Sequence, residues 1–182
     1  MALKNNAREM YAEALESLLE NNELKDITVL DIVKKCNSSR STFYHYFKDK
    51  YDLTNWVYEN FLEEYLNCQE CEVSESWFEI QKKPLDFIYS KRKYFSKITK
   101  YKGQNSFQDF VFEITRDRAL KSLQLNVKEP LEEQIFSINY MSAGVAKSVI
   151  YWIENGFKPK PDVMAKYLLM NTPNIVLSFY EQ

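Results

Sequence analysis

The chain has 182 residues, 45% of them hydrophobic, with only three glycines and five prolines; this describes one globular domain or two small ones and excludes a disordered chain. A net charge of −2 excludes a uniformly basic polyanion binder, and an odd count of three cysteines gives no disulfide framework and fits a reducing compartment. No apolar run approaches the ~20 residues that cross a bilayer, and the start lacks the apolar core of a signal peptide, so a cytoplasmic protein without membrane association is expected.

In chain order, Ala7, Met10/Tyr11, Ala14/Leu15 and Leu18/Leu19 keep the spacing of an amphipathic helix that Asn21-Asn22 ends. Thr28 is placed to cap a second helix, with Asp31 as capping-box partner and Val29, Ile32 and Val33 inside. Asn37 tolerates a left-handed turn, and Ser39 then caps a third helix of about two turns with Phe43 and Phe47 buried. A fourth begins near Lys50. The polar stretch Cys68–Ser76 reads as a junction. Beyond it, Pro84 suits a first-turn position of a helix running through Leu85, Ile88, Phe95 and Ile98 to Gly103. Phe107, Phe110/Val111, Ile114 and Leu120 mark the next. Pro130 opens a long helix carrying Ile135, Ile138, Met141, Val145, Val149 and Trp152, which Gly156 closes. The last follows Pro161, and Pro173 breaks it. No strand-like alternation and no repeat competes, so the fold class is all-α, with about nine helices.

Charge is uneven along this order. Residues 1–66 carry eight Lys/Arg and twelve Asp/Glu, yet Lys25 to Lys50 carries six basic and three acidic residues, a local net of +3. Two short helices joined by a tight turn, the second exposing Ser, Arg, Thr, Tyr and His, have the form of a helix-turn-helix. An Arg at a helix start can reach guanine edges or phosphate, and hydroxyls and backbone N–H groups there bind phosphate oxygens. An ordinary helical hairpin with a polar face has the same pattern.

The residues Thr28-Val29-x-Asp31-Ile32-Val33 and Ser39-Arg40-Ser41-Thr42-Phe43-Tyr44-x-Tyr46-Phe47-Lys48-x-Lys50-x-x-Leu53 resemble the N-terminal domain of TetR-type (tetracycline-repressor-like) transcriptional regulators, over roughly residues 5–55. The resemblance implies a three-helix DNA-binding domain over residues 1–49. A C-terminal bundle over residues 50–182 would bind the effector and dimerise, joined to it through the helix starting near Lys50. It also implies roles. Thr28 meets phosphate; Ser39, Arg40, Ser41 and Thr42 enter the major groove; Tyr44, His45 and Tyr46 touch backbone or bases; Lys48 and Lys50 hold flanking phosphates. Asn37 and Ser38 stand where the family has Gly and an apolar residue, and Ser38 is expected to cost packing. Tyr140-x-x-x-Gly144 to Trp152-Ile153-x-x-Gly156 is similar to the dihydroxyacetone kinase regulator subgroup.

The function so implied is a DNA-binding transcriptional regulator, a homodimeric repressor released by a small-molecule effector, with double-stranded operator DNA as partner. A co-activator type acting through a protein partner is the alternative. Ala143, Gly144 and Val145 are the candidate dimer contact, because small residues permit close helix approach, although internal core would use them equally. Arg92, Phe95, Phe107, Phe110, Tyr140 and Trp152 are the candidate effector pocket, since small-molecule sites are apolar with few polar anchors. Cys68-x-x-Cys71 lacks the further ligands of a zinc site. The basic run Lys91-Arg92-Lys93, Lys97, Lys100 and Lys102 is a solvated face, an anion site or an extension of the DNA footprint. No catalytic motif is present, so no enzyme, metal or cofactor is expected.

Overall fold

The computed structural model describes residues 2–66 and 76–178, and Cys68 and Cys71 lie outside them. Among the described residues there are ten α-helices and no strand: α1 (Ala2–Asn21), α2 (Val29–Lys35), α3 (Arg40–Tyr46), α4 (Lys50–Leu66), α5 (Trp77–Ser90), α6 (Arg92–Ile98), α7 (Phe107–Asn126), α8 (Glu132–Glu154), α9 (Pro161–Met170) and α10 (Asn174–Leu177). None is long and apolar enough to cross a membrane.

Helix starts follow local chemistry. The Thr28 side chain accepts from the Asp31 N–H while the Asp31 carboxylate accepts from the Thr28 N–H, a full capping box. Ser39 and Ser106 accept from Thr42 and Asp109 in the same manner. Two helices end alike. After α2, Asn37 turns left-handed (φ 51°), its N–H bonds to the Lys34 carbonyl and that of Ser38 to the Val33 carbonyl. After α8, Gly156 (φ 74°) and Phe157 repeat the arrangement on Ile153 and Trp152. Both are Schellman endings, which need φ > 0 at the first residue beyond the cap, the position held by Asn37 and Gly156.

Two boundaries depart from the sequence reading. Pro84 does not open α5; it sits inside it. The start is Ser76, whose side chain accepts from the Glu79 N–H, and Pro84 leaves the Ile80 carbonyl without its helical donor. The helix expected to run on to Gly103 breaks at Lys91 into α5 and α6. The break at Lys91 adds one helix, and with the short α10 that follows Pro173 the described residues hold ten.

One hydrophobic cluster runs from Tyr11 and Leu15 of α1 through Phe43, Phe47, Leu53 and Tyr58 to Ile150, Trp152 and Leu168. A smaller one gathers Trp77, Ala119, Leu123, Ile138, Met141 and Val176. Ser38 is no packing defect, contrary to expectation: its hydroxyl pairs with that of the fully buried Tyr11, so the polar residue satisfies a ring that would otherwise bury its OH unpaired.

The basic run holds α6 against α1. Lys97 Nζ donates to the carbonyls of Leu19 and Asn22, at 3.0 Å for the latter, where the last turn of α1 leaves acceptors without helical donors. Lys91 reaches both carboxylate oxygens of Glu16 (2.8 and 2.7 Å) and Lys100 reaches Glu23 (2.9 Å). Lys102 pairs with Glu154 of α8. Arg92 and Lys93 are exposed. Four of the six cations thus tie α6 and the turn after it to other parts of the fold, while Arg92 reaches only the Tyr89 carbonyl and ring at the end of α5.

Candidate functional site

The helix-turn-helix is assembled around Phe43, which is fully buried with its ring edge-on to Tyr11 (5.3 Å) and 5.6 Å from Phe47. Seven residues make α3, too short to hold itself together in water, so these rings fix its orientation. With Phe43 inward, Arg40, Ser41, Thr42, Tyr44 and His45 are exposed along one side. Arg40 lies over the Tyr44 ring at 5.9 Å, which limits the rotamers of both. The Ser39 and Thr42 hydroxyls bond each other at 2.8 Å, so both are partly committed to the cap. Tyr46 is half-buried, 6.3 Å from Tyr11. Thr28 is exposed and its hydroxyl donates to Asp31 at 2.6 Å. That bond holds the Asp31 carboxyl below its ordinary pKa. Lys48 is exposed.

Lys50 differs from its expected place. Its ammonium donates to the carbonyls of Leu24 (2.7 Å), Lys25 (3.2 Å) and Ile27 (2.6 Å), the 3-10 turn (Leu24–Asp26) that leads into α2. Burial lowers its pKa, and all three donors of the ammonium are committed. It ties α4 to the helix-turn-helix rather than standing free for phosphate. Lys50→Met should therefore lower stability by about 1–2 kcal/mol, the worth of charge-assisted bonds at a half-exposed site, measured by urea denaturation. An unchanged midpoint would show that the ammonium is replaceable by water.

In the C-terminal helices a cavity of about 90 Å³ lies between α4, α5, α7, α8 and α9. It is lined by Tyr58, Leu62, Trp77, Ile80, Gln81, Pro84, Leu85, Ile88, Val111, Ile114, Thr115, Arg118, Ala119, Met141, Val145, Val149 and Leu168. None of the six residues expected from sequence lines it. Phe95 and Phe107 are buried in the main cluster with their rings 5.1 Å apart, and Phe110 packs against that cluster. Trp152 is buried and its indole N–H donates to the Pro159 carbonyl at 2.6 Å. Arg92 is exposed and lies over the Tyr89 ring, and Tyr140 is 68% exposed. The helix rhythm located the rings but not which neighbour each one meets. The missed signal was Ser76-x-x-Glu79, which sets the start of α5 and so places Ile80 and Gln81 one turn before Pro84.

The candidate dimer residues divide. Ala143 and Gly144 are exposed, and a Cβ on Gly144 would meet nothing within 4 Å. Val145 is half-buried and lines the cavity instead. Ile135, Phe136, Tyr140 and Tyr151 of α8 are exposed, and with Ala143 and Gly144 they recur at helical spacing on one side. On α9, Val163, Tyr167 and Met170 are exposed in the same rhythm.

A family model described as bacterial regulatory proteins of the tetR family matches residues 13–55, and one described as a transcriptional regulator C-terminal region matches residues 75–172. The HTH-type dhaKLM operon transcriptional activator DhaS of Lactococcus lactis subsp. lactis (strain IL1403) is 33% identical over 60 residues, 33% of this chain and 32% of that protein. The uncharacterized HTH-type transcriptional regulator YxbF of Bacillus subtilis (strain 168) is 24% identical over 167 residues, 88% of this chain and 43% of that protein. The chain thus spans less than half the length of these curated relatives. Among solved structures, a dihydroxyacetone kinase operon activator DhaS superposes with a TM-score of 0.63 at 20% identity, covering 96% of each chain. A TetR transcriptional regulator from Streptococcus agalactiae 2603V gives 0.60 at 19%, covering 93% of this chain and 97% of its own. At these identities the structures establish the fold.

Proposed function

The chain belongs to the tetR family of bacterial regulatory proteins, and from that premise we propose that it regulates transcription as a homodimer, reading operator DNA with α3 under the control of an effector in the C-terminal cavity. The observation that carries this reading is the exposed row Arg40, Ser41, Tyr44 and His45, held outward by the buried Phe43 and Phe47. Each α3 would enter a major groove of a two-fold related site, about 34–36 Å or a multiple from its mate. Arg40 would contact bases, while Thr28, Ser39, Ser41, Thr42, Tyr44, His45, Tyr46 and Lys48 position the helix against the backbone and base edges.

The helix α4 connects the two activities. Lys50 at its first turn grips the approach to α2, and Tyr58, eight residues and about 12 Å further on, lines the cavity. A ligand that displaces Tyr58 would shift α4 as a rod and carry the reading head with it. The DNA affinity can change by no more than the ligand's differential affinity for the two placements. The relative from Lactococcus lactis is an activator by name; whether this chain represses or activates is read by a reporter behind its operator.

Operator selected from random DNA should be bound with nanomolar affinity in low salt. Arg40→Ala should cost roughly 1–3 kcal/mol and relax selectivity at one base position. Lys48→Ala should weaken binding to all sequences alike and reduce the salt slope by about one. Equal binding of the selected fragments by wild type and Arg40→Ala would remove this face as the reader.

A further inference from the structure

We propose that Tyr101 and Asn55, both outside α3, set which half-site spacing the protein accepts. They do so by fixing the reading head to the C-terminal helices through the turn between α6 and α7, residues 99–106. This rests on the dimeric DNA-binding reading above. Two aromatic rings make the first link. Tyr51, in the first turn of α4 and next to Lys50, stacks on Tyr101 with centroids 3.7 Å apart and planes 10° from parallel. The Tyr101 hydroxyl donates to the Gln104 carbonyl at 3.1 Å, which folds the ring back over its own turn. Gly103 makes room for it: a Cβ there would lie 2.5 Å from the Tyr101 Cζ, well inside van der Waals contact. One turn further along α4, the Asn55 side-chain N–H donates to the Asn105 carbonyl at 3.1 Å. Tyr51 and Asn55 are four apart and share a face of α4, so one short turn grips one face of the helix. From α6, the buried Tyr94 hydroxyl adds a bond to the Thr54 carbonyl at 3.0 Å.

The grip is kept at a cost that packing alone does not explain. Asn105 is left-handed (φ 63°), a conformation sparsely populated by residues other than glycine. Asn55 is 6% exposed, and its Oδ1 is buried with no hydrogen-bond partner among the described residues. An amide buried with an unmet acceptor destabilises the fold, and an apolar side chain there would avoid the penalty. Position is what the pair supplies. The same turn reaches the proposed dimer helix, because Lys102 pairs with Glu154 at the end of α8. Just before the turn, Lys97 holds the end of α1. Both α1 and α4 are thus tied to one short segment that is itself tied to α8. In a two-fold dimer this fixes the span between the two recognition helices. Two binding modules joined rigidly bind best at the one span they match, whereas a loose joint tolerates a range of spans.

The test uses the full chain and the operator selected above, rebuilt with its half-sites one and two base pairs further apart, each pair adding about 3.4 Å and ~35°. A single half-site is the control. Wild type should lose at least about a hundredfold in affinity at two added pairs, and Tyr101→Ala and Gly103→Ala less than about tenfold, with half-site affinity unchanged. Gly103→Ala keeps both tyrosines and displaces the Tyr101 ring by its Cβ. Asn55→Leu should flatten the spacing profile likewise, and Tyr101→Phe, which keeps the stack, should follow wild type.

A second readout contains no DNA. Spin labels at Lys34→Cys and Lys121→Cys report the distance from the reading head to α7, in chains whose native cysteines are replaced by serine and diluted with unlabelled protein. Wild type and Tyr101→Phe should give the same narrow distribution, and Tyr101→Ala, Gly103→Ala and Asn55→Leu a broader or shifted one. The proposal is overturned if these three variants keep the wild-type spacing profile, if their half-site affinity falls as far as their full-site affinity, or if all label distances agree. A wild type that binds no operator takes down the DNA reading and the spacing role with it. Operator binding with an unaltered spacing profile overturns the spacing role alone.

Discussion

Phe43→Ala should lower stability by roughly 3–5 kcal/mol, the cost of emptying a fully buried aromatic site. For a chain of this size that is a fall in Tm of roughly 6–20 °C. The site has little room to collapse, because Phe43 touches Tyr11 edge-on from α1, Phe47 from the end of its own helix and Tyr44 beside it. Those rings also bear on Trp56 of α4 through Phe47, at 5.9 Å, so the loss is felt at both junctions of the reading head. Operator binding should disappear before global unfolding, since α3 has no means of holding its helix once the anchor is gone. Phe43→Leu keeps most of the volume and should cost less than half as much. Differential scanning calorimetry with parallel DNA titration decides it. A Phe43→Ala protein that melts within 2 °C of wild type would mean that α3 is held by something other than this ring.

Local chemistry of the first fifty-five residues was legible because each choice there has a short-range cause. Thr28, Ser39 and Asn37 are selected by caps and a left-handed ending that depend on residues two to four positions away. Ser38 was misread as a packing cost because its partner, the Tyr11 hydroxyl, lies 27 positions back. The bonds of Lys50 within the chain were illegible for the same reason: the carbonyls that hold it are 23 to 26 positions away. Further along, the helical rhythm persisted across the break at Lys91, since Ile88, Phe95 and Ile98 stay buried on both sides of it. The pocket was the least legible element. Periodicity says that a ring is on an apolar side, whereas a cavity depends on which rings from five helices fail to meet.

On α8 the difficulty is of another kind, because two sides of that helix are apolar. Ile138, Met141, Val149 and Trp152 are buried within the chain, while Phe136, Tyr140 and Tyr151 are exposed and no periodicity separates core from contact. The exposed side is the basis of the second large expected effect. Tyr140→Glu and Gly144→Glu should each convert the dimer to monomer. In the single chain both positions are open: Tyr140 is 68% exposed and nothing lies within 4 Å of a Cβ at Gly144. Each variant should therefore fold with a helical spectrum like wild type. In a two-fold dimer every substitution occurs twice, and two uncompensated charges buried in one contact cost several kcal/mol each. That weakens association by at least about a thousandfold. Val145→Glu is the poorer probe, because Val145 lines the cavity and its damage would be internal. Sedimentation should give a wild-type dimer and variant monomers at micromolar concentration. The variants should retain only half-site affinity for an operator whose two halves the wild type bridges. A wild-type monomer, or both variants still dimeric, would place the contact elsewhere and leave this apolar side of α8 without a function in assembly.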